Sequence, residues 1–393
     1  MLFFVSLLII EVLSFFALKD KLHSRSGRIF FTVVIVHGII SFSLWMILVE
    51  TVAYKGFFDN PEHISMLMNL AGIVCAVVFP RIVVILFHYT GKLIRIRRGG
   101  HIKWLTNTGF AIAVMIFSVI SLGTFYGRFN FRTENVEIKI KDLHNDLEGL
   151  RIIQISDLHL ASFYNHGRAL QKVIDDINAL KPDLLLNTGD FVSFGWREYG
   201  RNDTILSKAK SRYGSYAVMG NHDFGTYHPF FSEADRSNNI LIINDLIKSS
   251  GYIVLNDTNS VVKIKGARIG LAGITTKGRH PHIIHGNLKK ALSGLDTVDL
   301  KILLSHDPNQ WEDEVVSKTD IDITLSGHTH GMQMGINTKN FKWSPAKYFY
   351  PHWSGLFRQG NQFQYVNLGL GTLAIPFRIW MPPEITVITL KRE

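Results

Sequence analysis

The sequence predicts a chain in two parts, an apolar helical region followed by a layered α/β or α+β domain. Three observations carry this. Four long apolar stretches fill the first third of the 393 residues. Beyond Tyr126, short apolar strands alternate with amphipathic helical patterns. Five of those strands end in Asp, His or Asn.

The apolar stretches run over about 2–18, 29–49, 66–89 and 109–126, each near the ~20 residues a helix needs to cross ~30 Å of hydrocarbon. The first has no basic leader and no small-residue cleavage site before Lys19, so an uncleaved helix is expected rather than a signal peptide. A composition that is 47% hydrophobic and 19% charged is too apolar for an ordinary soluble enzyme. The net charge of +10 is better explained by basic membrane loops than by nucleic acid, which is not expected as a partner. The first loop holds Lys19, Lys21, Arg25 and Arg28, and the third holds Lys92, Arg95, Arg97, Arg98 and Lys103. The second sets Lys55 against Glu50, Asp59 and Glu62. Loops one and three are therefore expected in the cytoplasm, and everything after Tyr126 on the extracytoplasmic side of the cell membrane. Three ionisable residues, Glu11, His37 and Arg81, fall inside the apolar stretches. Such groups are costly in lipid and tend to pair, so a Glu11–Arg81 pair with His37 nearby is expected. The lone cysteine, Cys75, excludes an internal disulfide and a thiolate zinc site.

In the second part, strands are expected at 136–140, 151–155, 183–187, 215–219, 252–255, 261–265, 267–272, 300–304, 321–325, 364–367 and 385–390. Helices are expected at 167–180, 239–249, 287–292 and 308–316. The boundaries expected are a four-helix transmembrane region at 1–127, a linker with the first strand at 128–148, and the folded domain at 149–393.

In layered sheets functional residues collect beyond the carboxyl ends of strands. There, RIIQISDLHL delivers Asp157 and His159, and DLLLNTGD delivers Asp190. SYAVMGNHD delivers Asn221 and His222, followed by Asp223. LKILLSHDP delivers His306, and DITLSGHTH delivers His328 and His330. Each alone is most simply a turn former or a satisfied polar residue. Their common position points to one shared site. Imidazole, carboxylate and amide oxygen without thiolate suit Mn²⁺, Fe or Zn²⁺. So many ligands exceed the need of one divalent metal ion and fit two, an arrangement that suits phosphoryl transfer.

DLH, GD, GNHD, a later His and GHTH, in that order, resemble the signature of the calcineurin-like metallophosphoesterase superfamily. LEGLRIIQISDLHL and the closing YVNLGLGTLAIPFRIWMPPEITVITL resemble its bacterial subgroup tethered by N-terminal transmembrane helices. The resemblance implies a four-layer domain with two stacked mixed β-sheets flanked by helices. It implies a membrane-anchored hydrolase with a dinuclear metal centre, cleaving a phosphodiester or pyrophosphate bond. Asp157, His159 and His330 would hold one ion, Asn221, His306 and His328 the other, and Asp190 would bridge. His222 would donate a proton or hydrogen bond to the phosphate or leaving oxygen, with Asp223 orienting it.

Two loops are expected near the site. TTKGRHPHIIHGN, 275–287, offers Lys277, Arg279, His280, His282 and His285 as a basic rim for an anionic substrate. NFKWSPAKYFYPHWSGLFRQG, 340–360, is rich in aromatic residues and carries Lys342, Lys347 and Arg358. It could pack on its own domain, dip into the membrane interface or grip a lipid. The expected partners are the bilayer and a phosphorylated small molecule or lipid. Lys277, Arg279 and Arg358 are the candidate substrate-binding residues. The alternative function is a membrane sensor whose phosphoesterase domain recognises a phosphorylated ligand. Oligomeric state is not legible.

Overall fold

Four helices precede residue 126 in the computed structural model, which describes every residue except 1, 23–26, 54–55, 57, 99–102, 280–281 and 339–340. They are α1 (Leu2–Leu22), α2 (Gly27–Ala53), α3 (Pro61–Arg98) and α4 (Lys103–Phe125). Among the described residues, three stretches are long and apolar enough to cross a membrane, Gly27–Thr51, Pro61–Arg97 and Lys103–Phe129. The expected first span, α1, is helical but is not one of these; Glu11, Lys19, Asp20 and Lys21 fall within it.

One unit comprises Met1–Phe57, Met66–Phe125 and Ile375–Phe377. Inside it Arg81 Nη1 lies 2.5 Å from Glu11 Oε1, and Nη2 donates to Ser41 Oγ at 2.9 Å. The expected pair therefore forms, and the His37 ring stands 6.1 Å from that of Phe15. Pro376 packs where Gly72 lacks a Cβ; an added carbon would meet it at 2.6 Å.

The second unit comprises Phe58–Ser65, Tyr126–Ala374 and Arg378–Glu393. Its strands are β1 (Arg132–Ile140), β2 (Arg151–Ile155), β3 (Leu184–Asn187), β4 (Ser215–Ala217), β5 (Ile253–Val254), β6 (Thr258–Ile264), β7 (Ala267–Ile274), β8 (Thr276–Arg279), β9 (His282–His285), β10 (Leu300–Ser305), β11 (Ile323–Ser326), β12 (Ile336–Asn337), β13 (Lys342–Trp343), β14 (Gly355–Gln359), β15 (Gln362–Val366) and β16 (Glu384–Arg392). Its helices are α5 (Gly167–Ala179), α6 (Asp203–Leu206), α7 (Glu233–Ser249) and α8 (Leu288–Leu292).

Two six-stranded mixed sheets result, ordered β1-β16-β2-β3-β4-β5 and β14-β15-β11-β10-β7-β6. In the first, β2, β3, β4 and β5 run parallel and β16 is antiparallel to β2. In the second, β7, β10, β11 and β15 run parallel. The apolar runs of their central strands are buried on both faces, and the period of two decides which layer each residue fills. Ile152, Leu184, Leu186, Ile302 and Leu304 point between the sheets, into a core shared with Ile269, Leu271, Ile323 and Leu325. Ile153, Ile155 and Leu185 face outward onto Leu170, Val173, Ile174 and Ile177 of α5 and Ile243 and Ile247 of α7. Ala272 and Leu303 face outward onto Ala291 of α8 and onto Trp311 and Val315. These are the four layers.

Several boundaries differ from expectation. The first strand expected within 128–148 forms as β1, which starts at Arg132, four residues before 136, and pairs with β16 along nine residues. Helix α7 starts six residues before 239 because Ser232 and Asp235 form a capping box, whose polar first turn hides the apolar period. The expected 308–316 helix is only the turn Trp311–Val315. The 275–287 segment is not a loop but the hairpin β8–β9.

The segment Phe58–Ser65, which includes the first turn of α3, belongs to this second unit. Asp59 Oδ1 lies 3.1 Å from Arg197 Nη1 and 3.5 Å from His228 Nε2. The Phe58 ring meets that of Phe194 edge-on at 4.7 Å, and Tyr164 donates to Glu62 Oε2 at 3.2 Å.

Candidate metal centre

Every candidate ligand sits just past the carboxyl end of a parallel strand. Asp157 and His159 follow β2, Asp190 follows β3, and Asn221 and His222 follow β4. His306 follows β10, and His328 and His330 follow β11. Both sheets thus contribute to one edge. Gln154 ties them there: its Nε2 reaches across from β2 to donate to the Ser326 carbonyl at 2.9 Å.

The turns that carry these residues are tight. Asp157, His159, Asp190, His328 and His330 all take positive φ, between 40° and 70°, a region costly for side chains other than glycine and concentrated at functional sites. Two glycines admit the close approach. A Cβ on Gly220 would lie 2.2 Å from Asp190 Oδ1, and one on Gly327 would lie 2.3 Å from Asp157 Oδ2. Gly327 is therefore required for room beside Asp157; its φ is not among the positive ones.

The ligand atoms fall into two groups. In each, one atom per residue lies within 4.8 Å of the others: Asp157, His159 and His330, then Asp190, His306 and His328. In the first, His159 Nε2 and His330 Nε2 stand 3.1 Å apart, and His330 Nε2 is 3.2 Å from Asp157 Oδ1. In the second, His328 Nδ1 and His306 Nε2 stand 3.2 Å apart. Asp190 Oδ2 lies 3.0 Å from His306 Nε2 and 3.8 Å from His159 Nε2, so one carboxylate reaches both groups.

Outer contacts orient the rings, as is usual around ligating histidines. His306 Nδ1 lies 2.8 Å from the Thr188 carbonyl, His159 Nδ1 lies 3.0 Å from Ser193 Oγ, and His328 Nε2 lies 2.8 Å from the Tyr350 hydroxyl. Asn221 donates its Nδ2–H to the Tyr227 hydroxyl at 3.0 Å.

Electrostatics favour a cation at this edge. Burial alone would raise the Asp157 and Asp190 carboxyls, but the surrounding histidines together hold both below the usual carboxylate range. Burial lowers His159, and lowers His328 to about 4, so both rings are neutral, the form in which imidazole can ligate. Burial opposes charge on His306 too, yet Asp190 and Asp157 raise it to about 10. The cluster thus draws positive charge to one point. Asn221 Oδ1 gives an independent test of fit: it is buried and accepts no hydrogen bond in the described structure, although its amide nitrogen is engaged. A buried oxygen without a donor is costly, and a hard cation would satisfy it.

His222 is buried, 6% exposed, with Nδ1 2.6 Å from the Ser193 carbonyl. Burial lowers its proton affinity, partly opposed by Asp190. The expected orienting role of Asp223 does not appear in the geometry. Its carboxylate instead accepts backbone N–H groups from Asp190, Phe191, Val192 and Gly220, which fixes the turn carrying Asp190. The Ser193 carbonyl occupies the place beside His222.

Of the expected substrate residues, Arg279 is near the site, its guanidinium 5.1 Å from the Tyr227 ring centre. Lys277 lies over the Phe224 ring at 5.1 Å. Arg358 does not belong there. It pairs with Glu393 at 3.1 Å, and the register of β14 on β15 puts it against Phe363, at the end of the sheet away from Ser326. His285 is held by Asp307 and Glu314, at 3.3 and 3.6 Å. Among the described residues no third ligand group forms in this hairpin; His280 lies outside them. The aromatic segment divides: Tyr350 and Trp353 pack with Ala346, Leu368 and Met381, whereas Phe341, Tyr348 and Phe349 are exposed.

Sequence reasoning missed Arg378. It is buried, and its guanidinium donates to the carbonyls of Leu368, Gly369, Gly371 and Met381 and approaches His330 Nδ1 at 3.2 Å. It thus pins the segment 368–371, past the end of β15, beside a candidate ligand histidine.

Comparison with known proteins agrees with this geometry. The calcineurin-like phosphoesterase family model matches residues 150–332, which span every candidate ligand. A transmembrane protein with metallophosphoesterase domain from Danio rerio is 29% identical over 373 residues, covering 91% of this chain and 78% of the relative. The metallophosphoesterase YkuE of Bacillus subtilis (strain 168) is 30% identical over 261 residues, covering 65% of this chain and 83% of the relative. Helices able to cross a membrane and a phosphoric-ester hydrolase domain therefore share one polypeptide, and the chain belongs to the calcineurin-like phosphoesterase family.

Proposed function

We propose that this membrane protein hydrolyses a phosphodiester or pyrophosphate bond with two divalent ions, on a substrate that is itself linked to lipid, at the extracytoplasmic face. The observation that carries the two-ion reading is Asp190 Oδ2, within 3.8 Å of a histidine nitrogen in each ligand group. Asp157, His159 and His330 would hold one ion, Asn221, His306 and His328 the other, with Asp190 between them. Mn, Fe or Zn all suit this donor set. Bound there, two ions would lower the pKa of water and offset phosphoryl charge.

The chain's own groups do the rest. His222, with Nδ1 turned to the Ser193 carbonyl, keeps Nε2 for the leaving oxygen as a general acid. Arg279 offers a cation at the rim for a second phosphate or an anionic head group. The loop charges support the assigned side of the membrane. The lipid-linked substrate rests on the tether: only a short connection joins β1 to the apolar helix α4.

The test is hydrolysis by the full-length chain in detergent with Mn²⁺. Bis(p-nitrophenyl) phosphate should be cleaved and p-nitrophenyl phosphate largely spared, and a panel of nucleotide diesters, phospholipids and lipid pyrophosphates should rank lipid-linked compounds first. Failure to turn over any of them with any divalent ion would leave a phosphate-sensing role instead. A reporter fused after Glu393 that is active only in the cytoplasm would reverse the sidedness.

A further inference from the structure

Tyr227 touches two different parts of the machinery. Its hydroxyl accepts the Nδ2–H of Asn221 at 3.0 Å. Its ring stacks on the His222 imidazole, with centroids 3.9 Å apart and planes within 12°. Neither role is singled out by the sequence.

The hydroxyl contact matters because the two ends of an amide are similar in shape and opposite in chemistry. The oxygen can ligate a cation and the NH₂ cannot. Holding the nitrogen on the phenol leaves Oδ1 as the buried, donor-free end. Without that anchor the amide is free to turn and present its nitrogen. The ring contact matters because the imidazole, edge-on to the His159 ring at 5.1 Å, is hydrogen-bonded through Nδ1 to the Ser193 carbonyl at 2.6 Å. A single hydrogen bond allows the imidazole to tilt about it, and a parallel ring at van der Waals distance blocks the tilt. The tyrosine is itself held in place from the neighbouring hairpin. Arg279 lies over its ring at 5.1 Å, and Arg279 Nε donates to the Thr226 carbonyl at 2.6 Å.

We infer that Tyr227 is a positioning residue with two separable duties. Its hydroxyl sets the Asn221 amide and with it the affinity of the Asp190, Asn221, His306 and His328 group for its ion. Its ring holds His222 in line with the leaving oxygen. The inference deepens the two-ion reading above and rests on it.

Manganese alone is the probe, titrated into the full-length chain in detergent by electron paramagnetic resonance or calorimetry. The wild-type chain should take up two Mn²⁺. Tyr227→Phe removes only the hydroxyl and should weaken one of the two sites by about 10–100-fold, the scale of losing an outer partner of a metal ligand. The other site should be unchanged, and excess Mn²⁺ should recover the lost turnover. Tyr227→Leu removes the ring as well. At saturating Mn²⁺ its kcat should stay low, and the deficit should grow as the leaving group of an aryl diester worsens. A merely structural tyrosine would loosen both sites alike and treat good and poor leaving groups alike. Tyr227→Phe with both sites at wild-type affinity overturns the inference, and that titration decides alone if Tyr227→Leu fails to fold. A wild-type chain that binds fewer than two Mn²⁺ overturns the two-ion reading itself, and this inference with it.

Discussion

The Nδ1 of His222 lies 2.6 Å from the carbonyl oxygen of Ser193. The same serine reaches His159 Nδ1 through its hydroxyl at 3.0 Å. One residue therefore orients both a candidate ligand histidine and the histidine proposed to act on the leaving group. The carbonyl keeps one proton on Nδ1, so Nε2 can donate to the leaving oxygen only from the doubly protonated ring. Replacing His222 by Asn should lower kcat by about 10²–10⁴, the usual contribution of general acid catalysis. Both Mn²⁺ ions should still bind. Steady-state kinetics together with metal analysis would check this, and unchanged turnover would remove His222 from the mechanism.

Asp190 meets both ligand groups and also accepts the His222 backbone N–H at 2.9 Å. Asp190→Asn should therefore be the most damaging single ligand change, lowering kcat by at least ~10²-fold, the scale of losing a key transition-state contact. Near-normal turnover in a variant that retains both ions would refute the bridging role.

His328 and His330 are two residues apart but belong to different groups. His328→Ala and His330→Ala should each weaken a different ion and largely spare the other. Separate Mn²⁺ titrations of the two variants check this; loss of the same ion from both would mean that one metal takes both histidines.

The Glu11–Arg81 pair is largely shielded, with side chains 14% and 10% exposed. Glu11→Gln leaves the guanidinium without its counter-charge. Breaking a buried pair in this way costs about 3–5 kcal/mol, so the thermal unfolding midpoint of the helical unit in detergent should fall clearly. An unchanged midpoint would show that the pair is not a structural clasp.

The fold and the clustering of the candidate ligands were legible for one reason: apolar strands with a polar terminus state both the element and the edge at which it ends. RIIQISDLHL and DITLSGHTH do this unaided, and the structure gathers their histidines and carboxylates. What surrounds the ligands was less legible. The partner of His222 is a backbone carbonyl, which any residue at position 193 would supply. Asp223 follows the histidine directly, and adjacency in sequence made it the expected partner, but its four backbone hydrogen bonds turn it the other way. Arg358 stood in a promising aromatic stretch, yet strand register carried it to the far end of the sheet. Arg378 lies in PFRIW, flanked by apolar residues and by no strand end, so only tertiary packing discloses it. The β8–β9 hairpin was hidden by its polar, histidine-rich composition, which lacks the alternation of a half-buried strand.

The segment Phe58–Ser65, with the first turn of α3, gives the catalytic unit an unusual boundary. Its anchoring partners Tyr164, Arg197 and His228 are synthesised only after α3 and α4 have been made. The unit is thus discontinuous in the chain and cannot be completed until both helices have emerged. A fragment cut at Tyr126 would lack a segment of the unit it was meant to isolate and would expose the Phe194 edge that Phe58 covers. Membrane insertion is in this sense a step in folding the hydrolase, and the intact chain, not an excised domain, is the object whose activity should be measured.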